Sequence, residues 1–223
     1  MATGISEKKP PVKLTVGAQY ICFDTMNAGN GWTDKFEDEV IKLPTVTQVE
    51  ITDNTDSYDA YASGAIYDSD TVVQTKDIQT TNLAFSDALL ARMKGDTVNG
   101  GIIVEGKAST VRPYFAYGIV VLKKGGGLDL RWYPKCKLTE NSDSAATSTD
   151  SHSDQTDSIT IRAYRMDEEK GIAVRIDTTE TGYENVTEDK FFASPVTTES
   201  AAEALKGTTT TCQILLRIKH GRK

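Results

Sequence analysis

Tyr117-Gly118-Ile119-Val120-Val121-Leu122-Lys123-Lys124-Gly125-Gly126-Gly127-Leu128-Asp129-Leu130-Arg131-Trp132-Tyr133 is the stretch on which the fold class turns. Its first six residues are nearly all apolar, as in a strand buried on both faces. The three glycines after Lys123-Lys124 tolerate positive φ and so suit a tight turn. Leu128–Tyr133 then alternates apolar with polar. The reading is a β-hairpin. A phosphate-binding loop would need the glycines to open a helix, with Lys and Ser/Thr following; here a strand follows.

The same chemistry extends outward in both directions. The chain has 29 threonines, and Thr, Val, Ile and Tyr suit a pleated, half-buried surface. Val46–Thr52 reads V-T-Q-V-E-I-T, with Val49 and Ile51 on one face and Gln48, Glu50 and Thr52 on the other. Val72–Thr80 is a similar run, and further strands are expected at 18–23, 158–164, 172–176 and 210–218. Two helices interrupt them. One has Ser86 as N-cap, a Leu89, Leu90, Met93 stripe and Gly95 as stop; the other runs over 199–206 behind Thr198, with Gly207 as terminator. A short turn is expected over 188–193. Two long loops remain, 24–44 and 140–157, the second holding five acids, no Lys or Arg, and much Ser and Thr. The expected class is α+β, mainly β: an antiparallel β-sandwich or barrel with a flanking helix.

Charge and cysteines narrow the function classes. Among 223 residues, 25 Lys+Arg face 32 Asp+Glu, a net charge of −7. That argues against binding nucleic acid by neutralising phosphates. No run of about 18 apolar residues predicts a membrane span, and Met1–Lys13 lacks the apolar stretch of a secretory signal. Cys22, Cys136 and Cys212 are odd in number and widely spaced, as in a chain made in a reducing cytosol. They lack CxxC spacing, so no zinc site is expected. Only Cys136, between Lys135 and Lys137, has a setting that favours a reactive thiolate. His152, near Asp154, and His220 read as solvated, with no carboxylate-held base. Asp53, Asp56, Asp59, Asp68 and Asp70 do not fit a calcium loop. No metal, cofactor or catalytic residue is expected. Residues 24–59 hold nine acids and two bases, a negative patch.

The order of short motifs carries a resemblance. Ala18-Gln19-Tyr20 starts a strand. Leu43-Pro44 and an alternating strand follow, then Tyr58-Asp59-Ala60-Tyr61-Ala62-Ser63-Gly64 and the helix at Leu89-Leu90. Arg112-Pro113-Tyr114-Phe115-Ala116-Tyr117-Gly118 leads into the hairpin, then come Arg131-Trp132-Tyr133-Pro134-Lys135-Cys136-Lys137, Gln155-Thr156-Asp157-Ser158-Ile159-Thr160 and Phe191-Phe192. Over about Gly17–Pro195 this order resembles the major tail proteins of long, non-contractile-tailed phages of Gram-positive hosts. Cys136 stands where that pattern has glycine, and 198–223 lies outside it.

The resemblance implies a structural virion protein with no enzymatic activity, made in the bacterial host cytoplasm and carried in the virion tail. Subunits of this kind form hexameric rings whose inner sheets join into a barrel. Rings stack into a hollow tail tube through which DNA passes during ejection without specific binding. The implied partners are the chain itself and the tail terminator, tape measure and tail-tip proteins, with no membrane. The division expected is 1–16 as an N-terminal arm, 17–196 as the tail-tube domain and 197–223 as a C-terminal helix–strand extension. Trp32, Phe36, Glu37 and Asp38 are candidates for contacts between rings or subunits, since an exposed Trp is a typical interface anchor; the alternative is that Trp32 packs on its own sheet. Gln48, Glu50, Gln74 and Lys76 are lumen-facing candidates, or simply face bulk water. The competing function is a carbohydrate- or protein-binding sandwich module of a baseplate or cell surface, with Tyr58, Tyr61 and Tyr67 as an aromatic platform.

Overall fold

The computed structural model describes residues 9–25, 31–106, 111–142 and 156–206. In chain order its elements are β1 (Lys13–Phe23), β2 (Ile41–Leu43), β3 (Val46–Ala62), β4 (Ala65–Asn82), α1 (Asp87–Lys94), β5 (Thr97–Asn99), β6 (Ile102–Val104), β7 (Phe115–Lys123), β8 (Leu128–Ser142), β9 (Asp157–Tyr164), β10 (Val174–Asp177), α2 (Glu188–Phe191) and α3 (Glu199–Ala204). Eight strands form one antiparallel sheet ordered β2-β1-β7-β8-β9-β4-β3, with β10 also on β8; β5 and β6 form a separate hairpin. The mainly-β, antiparallel expectation holds. No barrel closes among the described residues.

β8 joins the two halves of the sheet. Its first part pairs with β7 and β10, Trp132 standing opposite Gly118 and Val174. From Cys136 onward it pairs with β9, Cys136 opposite Ala163 and Leu138 opposite Ile161. Pro134 and Lys135 sit at a register shift against β7. Proline offers no N–H to a ladder, and an extra residue bends a strand. Past this bend the sheet curls until β3 touches β1. The enclosed core contains Ile21, Phe23, Phe115, Tyr117, Ile119 and Tyr133 from one half, Ile78, Leu138, Ile159 and Ile161 from the other, and Leu89 and Met93 of α1.

Side chains bridge the gap that no ladder closes. Buried Gln19 donates from Nε2 to Asn82 Oδ1 at 2.6 Å, Tyr117 OH donates to Gln19 Oε1 at 3.1 Å, and Asn82 Nδ2 donates to Thr80 Oγ1 at 3.2 Å. An open cleft of about 360 Å³ lies beside them, lined by Lys13, Val16, Val49, Ile51, Ile119 and Arg131.

The other face of β1, β7 and β8 is covered by the chain after β10. Tyr20, Cys22, Val120, Leu130 and Trp132 pack against Val186, Phe191, Phe192, Val196 and Ala202. Trp132 Nε1 donates to Phe191 O at 3.0 Å, and the Tyr20 and Phe192 rings stack at 3.9 Å. A Cβ on Gly118 would lie 2.6 Å from the Phe192 ring, so glycine permits the approach. This double cover explains why Tyr117–Val120 is apolar without alternation; Val121 is half-buried and Leu122 exposed. Polar groups at the end of this layer are paired. Buried Asp129 accepts from Arg131 Nη2 at 2.6 Å and from Arg175 Nε and Nη2 at 2.6 and 2.7 Å, and buried Lys123 donates to Asp177.

Both expected helices form close to their predicted ends. Gly95 caps α1 at φ 84°, although the Ser86 side chain makes no cap bond. Thr198 Oγ1 accepts from Ala201 N at 3.2 Å at the start of α3. The 188–193 turn is α2. Three expectations are corrected. β1 begins at Lys13, inside the stretch read as an arm. The 24–44 loop contains β2, which pairs with β1. The runs 46–52 and 72–80 are parts of one hairpin spanning Val46–Asn82. The expected strand at 210–218, most of the 140–157 loop, and His152, Asp154, Cys212 and His220 lie outside the described residues.

Candidate functional site

The hairpin of β3 and β4 outruns its own sheet. β4 pairs with β9 only as far as Thr75 opposite Tyr164. Beyond that row β3 and β4 pair with each other alone, from Thr55–Val73 to Ala62–Ala65. The eight β3 residues, at about 3.3 Å each, give a ribbon about 26 Å long. Every residue from 55 to 72 is exposed except half-buried Ala60. At the tip Ser63 and Gly64 both have positive φ, 53° and 81°, as a two-residue primed turn requires.

The ribbon is acidic and carries aromatic side chains. Asp56, Asp59, Asp68 and Asp70 lie on it, and no Lys or Arg occurs from 54 to 75. Tyr58, Tyr61 and Tyr67 are 73%, 70% and 82% exposed, and Ile66 is 58% exposed. Tyr58 stands opposite Asp70 and Tyr61 opposite Ile66; Tyr67 occupies a register shift. Ser69 Oγ donates to Asp59 Oδ1 at 2.7 Å. The outer edge of β3 has no partner strand among the described residues.

The lumen candidates do not share one face. Gln48 and Glu50 are exposed, turned away from Val49 and Ile51, with Thr81 and Gln79 opposite them. Lys76 lies in the inward row with Ile78 and pairs with Asp53 across the hairpin. Gln74 is exposed and unpaired at a register shift. Lys76, a polar position of the 72–80 run, sits at the end of the inward row because Asp53 pairs with its ammonium. Gln79 and Thr81, which complete the polar face, become visible only from the register.

The 31–40 segment folds back on the body. Trp32 is half-buried, its ring 5.2 Å from Lys135 Nζ and 5.9 Å from Lys170 Nζ. Lys170 also pairs with Asp34 at 2.6 Å. Phe36 is half-buried against the outer core and bridges to Asp24. Glu37 pairs with Arg92, whose guanidinium lies 3.9 Å from the Phe23 ring centroid. Asp38 alone of the four contact candidates is exposed. An exposed Trp32 anchor is therefore corrected: cation–π attraction to two lysines holds the ring.

Among the described residues nothing assembles reactive groups. Cys136 is fully buried in the inner core, so burial pushes its thiol far above the ordinary value, while its lysine neighbours flank aromatic rings. Burial, together with Glu37, raises Cys22 to about 11. Both thiols are protonated and inert at neutral pH. Among the described residues no group of His, Cys, Asp and Glu is placed to hold a metal ion, and no helix is long and apolar enough to cross a membrane. No family model matches the chain, and no curated protein matches it.

Proposed function

We propose that the chain is a structural subunit that assembles with copies of itself, and more specifically a tail-tube subunit forming hexameric rings that stack into a DNA conduit in a virion tail. The observation that carries the reading is the ribbon over 55–72. An isolated two-stranded ribbon is marginal in water, and a long unpaired edge invites pairing with another chain. A monomer gains nothing from building one, whereas a ring or filament gives it a partner. Two further features support the reading. The curled antiparallel sheet, with α1 packed into its core, is consistent with the helix-flanked subunit that the resemblance implies. Gln48 and Glu50, with Gln79 and Thr81 opposite, offer a polar face on which phosphates would slide without adhering.

Tail terminator, tape measure and tail-tip proteins are the partners this role implies. Negative-stain microscopy of concentrated protein is expected to show rings or hollow tubes. A strictly monomeric sample across protein and salt concentrations would overturn the reading. The exposure of Tyr58, Tyr61 and Tyr67 favours a second reading, a binding module for carbohydrate or protein. Saturable glycan binding by a stable monomer, lost on Tyr58→Ala, is its signature.

A further inference from the structure

We propose that the outer edge of β3 along the ribbon receives residues 210–218 of a second copy as an added strand. The inference rests on the self-assembly reading and names what the ribbon holds.

The free edge sets the chemistry of its occupant. An unpaired strand edge presents alternating N–H and C=O groups that only another extended backbone satisfies along its length. Tyr58 and Tyr61 on β3, one on each face of the ribbon, offer apolar contact to side chains of an added strand. Charge then excludes two occupants. A second β3 would set Asp56 and Asp59 against like charges, which is destabilising across a pair. A nucleic-acid strand would meet the same repulsion. The occupant must be a cationic strand.

The chain carries one stretch of that kind. Residues 207–223 contain Arg217, Lys219, Arg222 and Lys223 and no acid. Within them Cys212, Ile214, Leu216 and Ile218 alternate with Gln213, Leu215, Arg217 and Lys219, a strand pattern with one wholly apolar face. The basic N-terminal stretch, with Lys8 and Lys9, is interrupted by Pro10 and Pro11, which cannot donate to a ladder. Nine residues over 210–218 extend about 30 Å, close to the ribbon's length.

Connector length assigns the segment to a second copy. α3 packs on β10, and β10 lies on the same side of β8 as β9. A strand outside β3 therefore stands three strand spacings away, about 14 Å, before the layer of α3 is added. The four Cα steps from Lys206 to Thr210 reach about 14 Å at full extension, too short once the α3 layer must also be crossed.

The test uses full-length chains with reversed charges. One variant carries Arg217→Glu and Lys219→Glu; the other carries Asp56→Lys, Asp59→Lys, Asp68→Lys and Asp70→Lys. Both change exposed or tail positions, and circular dichroism confirms that each folds. Each alone is expected to assemble with a yield lowered about tenfold, near 1.4 kcal/mol per contact. Mixing the two separately purified variants is expected to restore assembly, because each tail then meets a ribbon of opposite charge. Wild-type assembly by the tail variant overturns the inference and leaves self-assembly standing. Restoration only when both changes share one chain also overturns it, since the tail then docks on its own ribbon. Failure of the unmodified chain to assemble at all defeats the assembly reading and this inference with it.

Discussion

The two ends of the same sheet are built from similar strand chemistry and serve opposite ends energetically. Around β7 and β8 both faces are covered, and Phe115, Tyr117, Val120, Leu130 and Trp132 are almost wholly removed from water. On the ribbon both faces are bare, with three tyrosines and an isoleucine in solvent. Each large side chain fully buried in the first region contributes about 1.5–3 kcal/mol. The ribbon buries almost nothing and so contributes little to folding. The contrast separates residues that hold the subunit together from residues available to hold subunits to each other.

The sharpest way to break that contrast is in the body. Trp132→Ala removes a buried indole and its hydrogen bond to Phe191, and is expected to destabilise the fold by about 3–5 kcal/mol in a denaturant titration. A loss under 1 kcal/mol would mean the outer layer is not part of the cooperative unit.

Next comes Asp129→Asn, which leaves Arg131 and Arg175 without their carboxylate, at an expected cost of about 3 kcal/mol. Burial acts to raise Asp129, but the hydrogen bonds from Arg131 and Arg175 outweigh it and hold the carboxyl below its ordinary value. Asp177 is held low in the same way by Lys123, against its burial. A lowered folded value stabilises above the ordinary Asp range of about 3.9 and is lost as pH falls through the folded value. Acid titration of the native chain should therefore show stability falling below about pH 4, with a shallower fall in Asp129→Asn. Equal slopes would exclude Asp129 from the acid transition.

A smaller effect is expected from Gly118→Ala, whose Cβ meets the Phe192 ring at 2.6 Å. Forcing that ring aside should cost about 1–3 kcal/mol, and the near-ultraviolet circular dichroism of the Tyr20–Phe192–Trp132 cluster should change with it.

The smallest change in stability belongs to the ribbon. Replacing Tyr58, Tyr61 and Tyr67 together by Ser should shift subunit stability by about 0.5 kcal/mol or less, yet abolish assembly seen by microscopy. A large stability loss would show that the ribbon packs on its own body, and unchanged assembly would remove the tyrosines from the interface.

The legibility of the sequence follows the same division. Periodicity located β7, β8, β9 and α1 because burial on one or both faces writes itself into side-chain polarity. Capping chemistry located α1 and α3 through Gly95 and Thr198. The β3–β4 hairpin was read as two short strands with the ribbon between them missed, because residues exposed on both faces carry no apolar alternation. The sequence left open whether Trp32 is an exposed anchor or packs on its own body, because the lysines beside it, Lys135 and Lys170, are more than a hundred positions away in the chain.

By itself, the sequence determined a mainly antiparallel β protein, its glycine turns, its capped helices, and an acidic stretch through the β3–β4 hairpin. These are local properties, set by side-chain shape, charge and spacing of two or three and a half residues. Only the tertiary structure decided that β8 bends at Pro134–Lys135 to serve both halves of the sheet, that Lys76 faces inward while Glu50 faces out, and that the hairpin leaves the body. Each of these depends on register between distant strands, which pairing energies across the sheet fix and no single segment encodes.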